Sequence, residues 1–125
     1  MEKNKLDLLY QKYKIHDNLI ISRTARKTIR YIEKNTINFP NNYKVLKDKI
    51  ITSSYNILEY IYRANIFQSI DDKKEIIVQI QMLNFYLEEA YRKNIINEKK
   101  LLSYTEHLFQ IDKMVRAWFN YEKEK

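Results

Sequence analysis

No glycine occurs anywhere in the 125 residues, and proline occurs once. Glycine is the residue that enters left-handed backbone without steric cost, and average usage near ~7% would supply roughly nine copies. A chain without any lacks the raw material of phosphate-cradling loops, dinucleotide fingerprints, nucleophile elbows and most all-β folds, whose turns need positive φ. Helices joined by short connections are what such a chain builds most readily. Its length suits a single core, since domains commonly hold about 100 to 150 residues, so residues 1–125 read as one domain. Cysteine is absent too, which excludes disulfides, thiolate zinc sites and cysteine nucleophiles and fits a reducing compartment. No cofactor is implied, and function is left to surfaces or to oxygen and nitrogen ligands.

Apolar residues recur three and four apart, the period of an amphipathic helix. The spacing predicts a first helix over about 16–36 with Ile21, Ala25, Ile29 and Ile32 inward, ended by Phe39-Pro40 because the residue before proline is pushed from helical geometry. Asn35, Asn38, Asn41 and Asn42 are expected to supply turn chemistry in glycine's place. A second helix over about 42–67 turns Leu46, Ile50, Ser53, Ile57, Ile61 and Ala64 inward. A third over 72–94 opens on an Asp72/Glu75 capping box and buries Ile76, Ile80, Leu83, Leu87 and Ala90. A fourth runs on to about Tyr121 with Leu101, Leu108, Ile111, Val115 and Trp118 inside. Short connections make neighbours antiparallel, which predicts an all-α, up-down four-helix bundle. Leu6, Leu8, Leu9, Tyr10, Tyr13 and Ile15 make residues 1–15 an expected packed arm or helix extension, and residues 122–125 an expected frayed tail. Eleven tyrosines are more than the inward rows accept, Tyr31, Tyr55, Tyr60, Tyr62, Tyr86 and Tyr91 among them, which points to self-association. The opening Met-Glu-Lys-Asn-Lys is not expected to begin a signal peptide. No window approaches the ~18 apolar residues of a membrane span, so the expected setting is the cytoplasm, without a membrane partner.

Charge is the informative part of the composition. The net charge is +7, and it is unevenly placed: residues 1–49 hold 12 Lys or Arg against 5 Asp or Glu, whereas residues 50–125 hold 11 of each. Arg23, Arg26, Lys27, Arg30 and Lys34 follow one another at three, one, three and four. At ~100° per residue they form a stripe about 100° wide, nearly opposite the apolar row of the same helix. Of these only Arg30 has an acid three or four residues later, Glu33. Five cations on one face repel one another unless a polyanion or a partner's carboxylates neutralise them. A solvated helix face is the plain alternative, although mixed lysine and glutamate would serve solubility with less self-repulsion. Lys44, Lys47 and Lys49, just beyond Phe39-Pro40, are expected to extend the basic surface, with ordinary surface lysines as the alternative. The expected ligand is RNA or DNA held through phosphates, with docking to an acidic protein as the alternative.

Catalysis finds little support. A di-iron bundle needs Glu three residues before His, but Tyr13 precedes His16 and Tyr104 precedes His107. Helical ribonucleases that leave four to six residues between an Arg and the following His are not matched either, because Lys100 to Leu102 and Leu9 to Gln11 stand there. Adjacent acids, Asp71-Asp72 and Glu88-Glu89, diverge on a helix or cap it. Trp118, on the apolar row, reads as core and not as a base-stacking platform.

The order of these features resembles a known family. A basic first helix is followed by Phe39-Pro40, the row Leu46, Ile50, Ile57, Leu58 and Ile61, and the stretch Met82, Leu83, Leu87 and Ala90. Then come the hinge Ile95-Ile96-Asn97-Glu98-Lys99 and the ending Ile111, Lys113, Met114 and Trp118. This pattern, over about residues 17–121, is similar to the Avd-like four-helix bundles, which include the accessory variability determinants of diversity-generating retroelements and proteins encoded in 23S rRNA intervening sequences. The resemblance implies a homopentameric barrel with a basic surface that binds nucleic acid and a reverse transcriptase, and a non-enzymatic accessory role. Of the third-helix arginines common in that family only Arg92 has a counterpart here, Asn84 and Glu88 occupying other positions. Arg116 and Ala117 stand where paired glycines are frequent.

Overall fold

A computed structural model describes the backbone of residues 2–13 and 19–124, and the side chains of 4–9 and 19–120. The described residues form five helices: α1 (Glu2–Tyr13), α2 (Ile20–Thr36), α3 (Lys44–Phe67), α4 (Ile70–Arg92) and α5 (Glu98–Glu124), with a 3-10 turn at Asn41–Tyr43 before α3. The predicted four are α2 to α5. Contacts run α2–α3, α3–α4, α4–α5 and α5–α2, closing a ring in which α2 and α4 stand at opposite corners. With connections this short the arrangement is an up-down four-helix bundle.

The inward rows are where periodicity put them. Ile21, Ala25, Ile29 and Ile32 of α2, Ile50, Ile57, Ile61 and Ala64 of α3, Ile76, Ile80, Leu83, Leu87 and Ala90 of α4, and Leu108, Ile111 and Val115 of α5 are all buried. Leu46, Leu101 and Trp118, expected inside, are half-buried and pack against the edge of this core. Ser22 and Thr28 are buried as well, and they are tolerated because each hydroxyl donates to a carbonyl of the preceding turn, Leu19 at 2.9 Å and Thr24 at 3.0 Å. Leu6, Leu8 and Leu9 of α1 are exposed instead of packed; Tyr10, Tyr13 and Ile15 lie outside the described side chains, as do residues 122–125, though α5 continues to Glu124.

Turn chemistry differs from the expectation in an instructive way. Among the described residues, positive φ occurs at Gln68 (53°) and Asn94 (60°), not at Asn35, Asn38, Asn41 or Asn42. Both sites terminate helices by Schellman geometry: Ser69 N donates to Ala64 O at 3.2 Å, and Ile95 N to Ala90 O at 2.9 Å with Asn94 N to Tyr91 O at 3.0 Å. Two non-glycine residues therefore hold conformations that glycine fills most easily, because the satisfied carbonyls outweigh the steric penalty of about 1 to 2 kcal/mol at each. Helix α4 starts two residues earlier than predicted. Its cap is Ser69, whose hydroxyl accepts from Asp72 N at 3.2 Å, while the expected cap Asp72 sits with Asp71 in the first turn, at the positive end of the dipole. Asn97 Oδ1 caps α5 by accepting from Lys100 N at 2.8 Å.

Candidate nucleic-acid interface

Burying one side of α2 against α3 and α5 leaves the opposite side outward, and there the basic stripe lies. Arg23, Arg26, Lys27, Arg30 and Lys34 are all exposed. Among the described residues Arg23, Lys27, Arg30 and Lys34 form no ion pair. Glu33, the acid expected to serve Arg30, is instead taken by α3: the Tyr55 hydroxyl donates to its carboxylate. That bond to Glu33, with lesser contributions from burial and from the negative charge itself, holds the Tyr55 phenol above its usual range. Arg26 is also engaged with α3, donating to the Tyr62 hydroxyl from Nε at 3.0 Å and Nη2 at 2.7 Å. These two contacts mark the α3 flank of the stripe.

The α5 flank is aromatic. Tyr31 reaches across to Ser103, its hydroxyl 2.7 Å from Ser103 Oγ, and its ring lies parallel to that of His107 at 4.6 Å and 12°. Tyr104 meets Tyr31 edge-on at 5.4 Å. Lys100 donates to Asn35 and holds its ammonium 5.9 Å from the Tyr31 ring. Sequence reasoning dismissed His107 as a ligand and left Tyr31 unplaced. The spacing of Tyr31 between Lys27 and Lys34 was the available signal that it borders the stripe.

The remaining predicted residues fall into separate groups. Lys44 opens α3 and is exposed, Lys47 is half-buried, and Lys49 is exposed with its ammonium 5.9 Å from the Tyr86 ring of α4. Arg92 is exposed at the end of α4, the helix diagonal to α2. It therefore does not share a helix face with the stripe. Asn84 and Glu88 bond to each other on α4, Nδ2 to Oε1 at 3.0 Å.

Two buried groups escaped the sequence reading. Lys73 is 1% exposed, with Nζ 4.2 Å from the Trp118 ring centroid, a cation–π contact; its place three residues before Ile76 puts it on α4's inward row. Tyr104 is fully buried and its hydroxyl has no protein partner. Burial, and secondarily the neighbouring Tyr31, pushes its phenol up to about 12. Among the described residues no three His, Cys, Asp or Glu side chains converge on a possible metal position; His16 lies outside them. No described helix is long and apolar enough to cross a membrane. The chain matches no protein-family model, and no curated protein matches it.

Proposed function

We propose that the outward face of α2 binds the phosphate backbone of RNA or DNA, and that the protein is a non-enzymatic accessory factor acting in the cytoplasm. The observation that supports this most directly is the exposure of Arg23, Lys27, Arg30 and Lys34 on one helix face without a carboxylate partner among the described residues. Lys44 and Lys47 lengthen the basic surface, whereas Arg92, on the diagonal helix, makes at most a separate contact. Phosphate contacts fix a ligand's position without reading its bases, so binding is expected to be nearly insensitive to sequence. The likeness to Avd-like bundles adds a homopentameric assembly and a reverse-transcriptase partner to the same reading.

The test is a salt titration. Wild-type affinity should fall steeply with ionic strength, the logarithmic slope being about 0.7 to 0.9 per neutralised phosphate. The triple variant Arg23→Gln, Lys27→Gln, Arg30→Gln should lower that slope by roughly two to three and keep its helical circular dichroism. An unchanged slope and affinity would refute the assignment. A protein complex that survives nuclease digestion while free nucleic acid is not bound would favour the acidic-protein partner instead.

A further inference from the structure

We infer that the nucleic acid taken by the α2 face is a single strand, RNA or DNA, one of whose bases stacks on His107. The inference rests on the phosphate-binding reading above and adds to it the form of the ligand.

A basic helix face by itself does not distinguish single strands from duplexes, because both present phosphates. The α2–α5 seam supplies what a duplex cannot use. Its His107 ring is held in a fixed plane: Nδ1 bonds the Ser103 carbonyl oxygen at 2.8 Å, and Tyr31, the ring beneath it, is fixed by its own 2.7 Å contact with Ser103 Oγ. One residue thus pins both members of the stack. Tyr31 occupies one face of the imidazole. Among the described residues no ring covers the other face and Nε2 has no hydrogen-bond partner, while the residue as a whole is half-buried.

The cations stand in the right place for this step. Lys27 precedes Tyr31 by four residues and Lys34 follows it by three, so both lie on the same side of α2, about 4.5 to 6 Å along the helix axis from Tyr31. Lys100 adds a third ammonium at the seam. Glu106, the acid nearest in sequence to His107, is exposed and turned about 100° away around α5. A backbone held by Lys27 and Lys34 would bring an unstacked base to the imidazole, the combination of basic track and aromatic step by which proteins hold single strands without reading sequence. In a duplex the bases are already stacked on one another and offer no free face.

The experiment measures fluorescence anisotropy with a labelled 12-nucleotide strand, as RNA and as DNA, the same strand with abasic positions, and a duplex of equal length. The wild-type protein should bind the intact strand about tenfold more tightly than the abasic one, a factor within the range of one stacked base, and more tightly than the duplex. His107→Ala should erase the preference for intact over abasic strand while leaving abasic affinity unchanged, which also reports that the bundle is folded. His107→Phe should restore it. Equal binding of intact and abasic strands by the wild type, or a preference that survives in His107→Ala, would overturn stacking and leave the basic-face reading standing. Absence of binding to every ligand would overturn both.

Discussion

The outward face of α2 and the outward faces of α3 to α5 all carry cations, but they treat them differently. In the later helices three exposed cations each follow an acid by four residues: Arg63 with Glu59 at 3.2 Å, Lys93 with Glu89 at 3.1 Å and Arg116 with Asp112 at 2.8 Å. That order, acid toward the N-terminus, is the favourable one in a helix. On α2 the only acid, Glu33, comes after Arg30, and Tyr55 holds it on the α3 flank. The later helices neutralise part of their charge within themselves, whereas on α2 Arg23, Lys27, Arg30 and Lys34 are all left for something else to neutralise. The contrast matters more than the net charge of +7, because a field capable of holding a polyanion needs unpaired cations gathered together.

The largest effect expected belongs to the row beneath the stripe and serves as the reference for the rest. Ile32→Ala, at a position with no exposure, should lower unfolding free energy by about 2 to 4 kcal/mol in urea melts. A loss below ~1 kcal/mol would mean that α2 is not anchored by its apolar face.

Next comes the seam with α5. The Tyr104 phenol ionises near ~10 in the unfolded chain and near 12 in the native one. Above pH 10 the unfolded state releases a proton that the native state keeps, so the stabilisation is complete below pH 10 and lost as pH rises to 12. A gap of about two, at ~1.36 kcal/mol per pH unit, comes to roughly 2.7 kcal/mol. Denaturation midpoints should fall more steeply over pH 10–12 in the wild type than in Tyr104→Phe. At pH 7 that variant should be as stable as the wild type or slightly more so, since it removes a buried hydroxyl without a protein partner. Parallel pH profiles would sink this account of Tyr104.

The smallest effects sharpen the comparison most directly. Arg63→Gln, Lys93→Gln and Arg116→Gln together should cost about 1 kcal/mol, at roughly 0.3 to 0.5 each for exposed i,i+4 pairs, and leave nucleic-acid affinity nearly unchanged. The triple glutamine variant of α2 should do the reverse, shifting stability by less than ~0.5 kcal/mol while binding drops. Equal losses of affinity in both variants would make the two surfaces equivalent and abolish the contrast.

Much of this was legible before any coordinates. Row after row of α2 to α5 reads from spacing alone, and the stripe follows from the same arithmetic, because a helix with a single apolar face must present its other residues outward. The caps were read less well. Asp72 with Glu75 satisfied the pattern of a capping box, but Ser69 lies where the chain turns and its shorter hydroxyl reaches the Asp72 amide. The asparagines at 35, 38, 41 and 42 suggested left-handed turns that a 3-10 turn made unnecessary. Of the site, the stripe was visible and the aromatic flank was not, since Tyr31, Ser103 and His107 meet only after α2 and α5 are side by side.

By itself the sequence determined that this protein is helical, how many helices make its bundle and which side of each is apolar, because periodicity and the lack of glycine are local facts that no packing is needed to express. Only the tertiary structure decided that Lys73 is buried against Trp118 and that His107 lies flat on Tyr31. Those outcomes depend on groups brought together from distant helices, where the neighbour, and not the residue's own preference, sets the balance of burial and bonding.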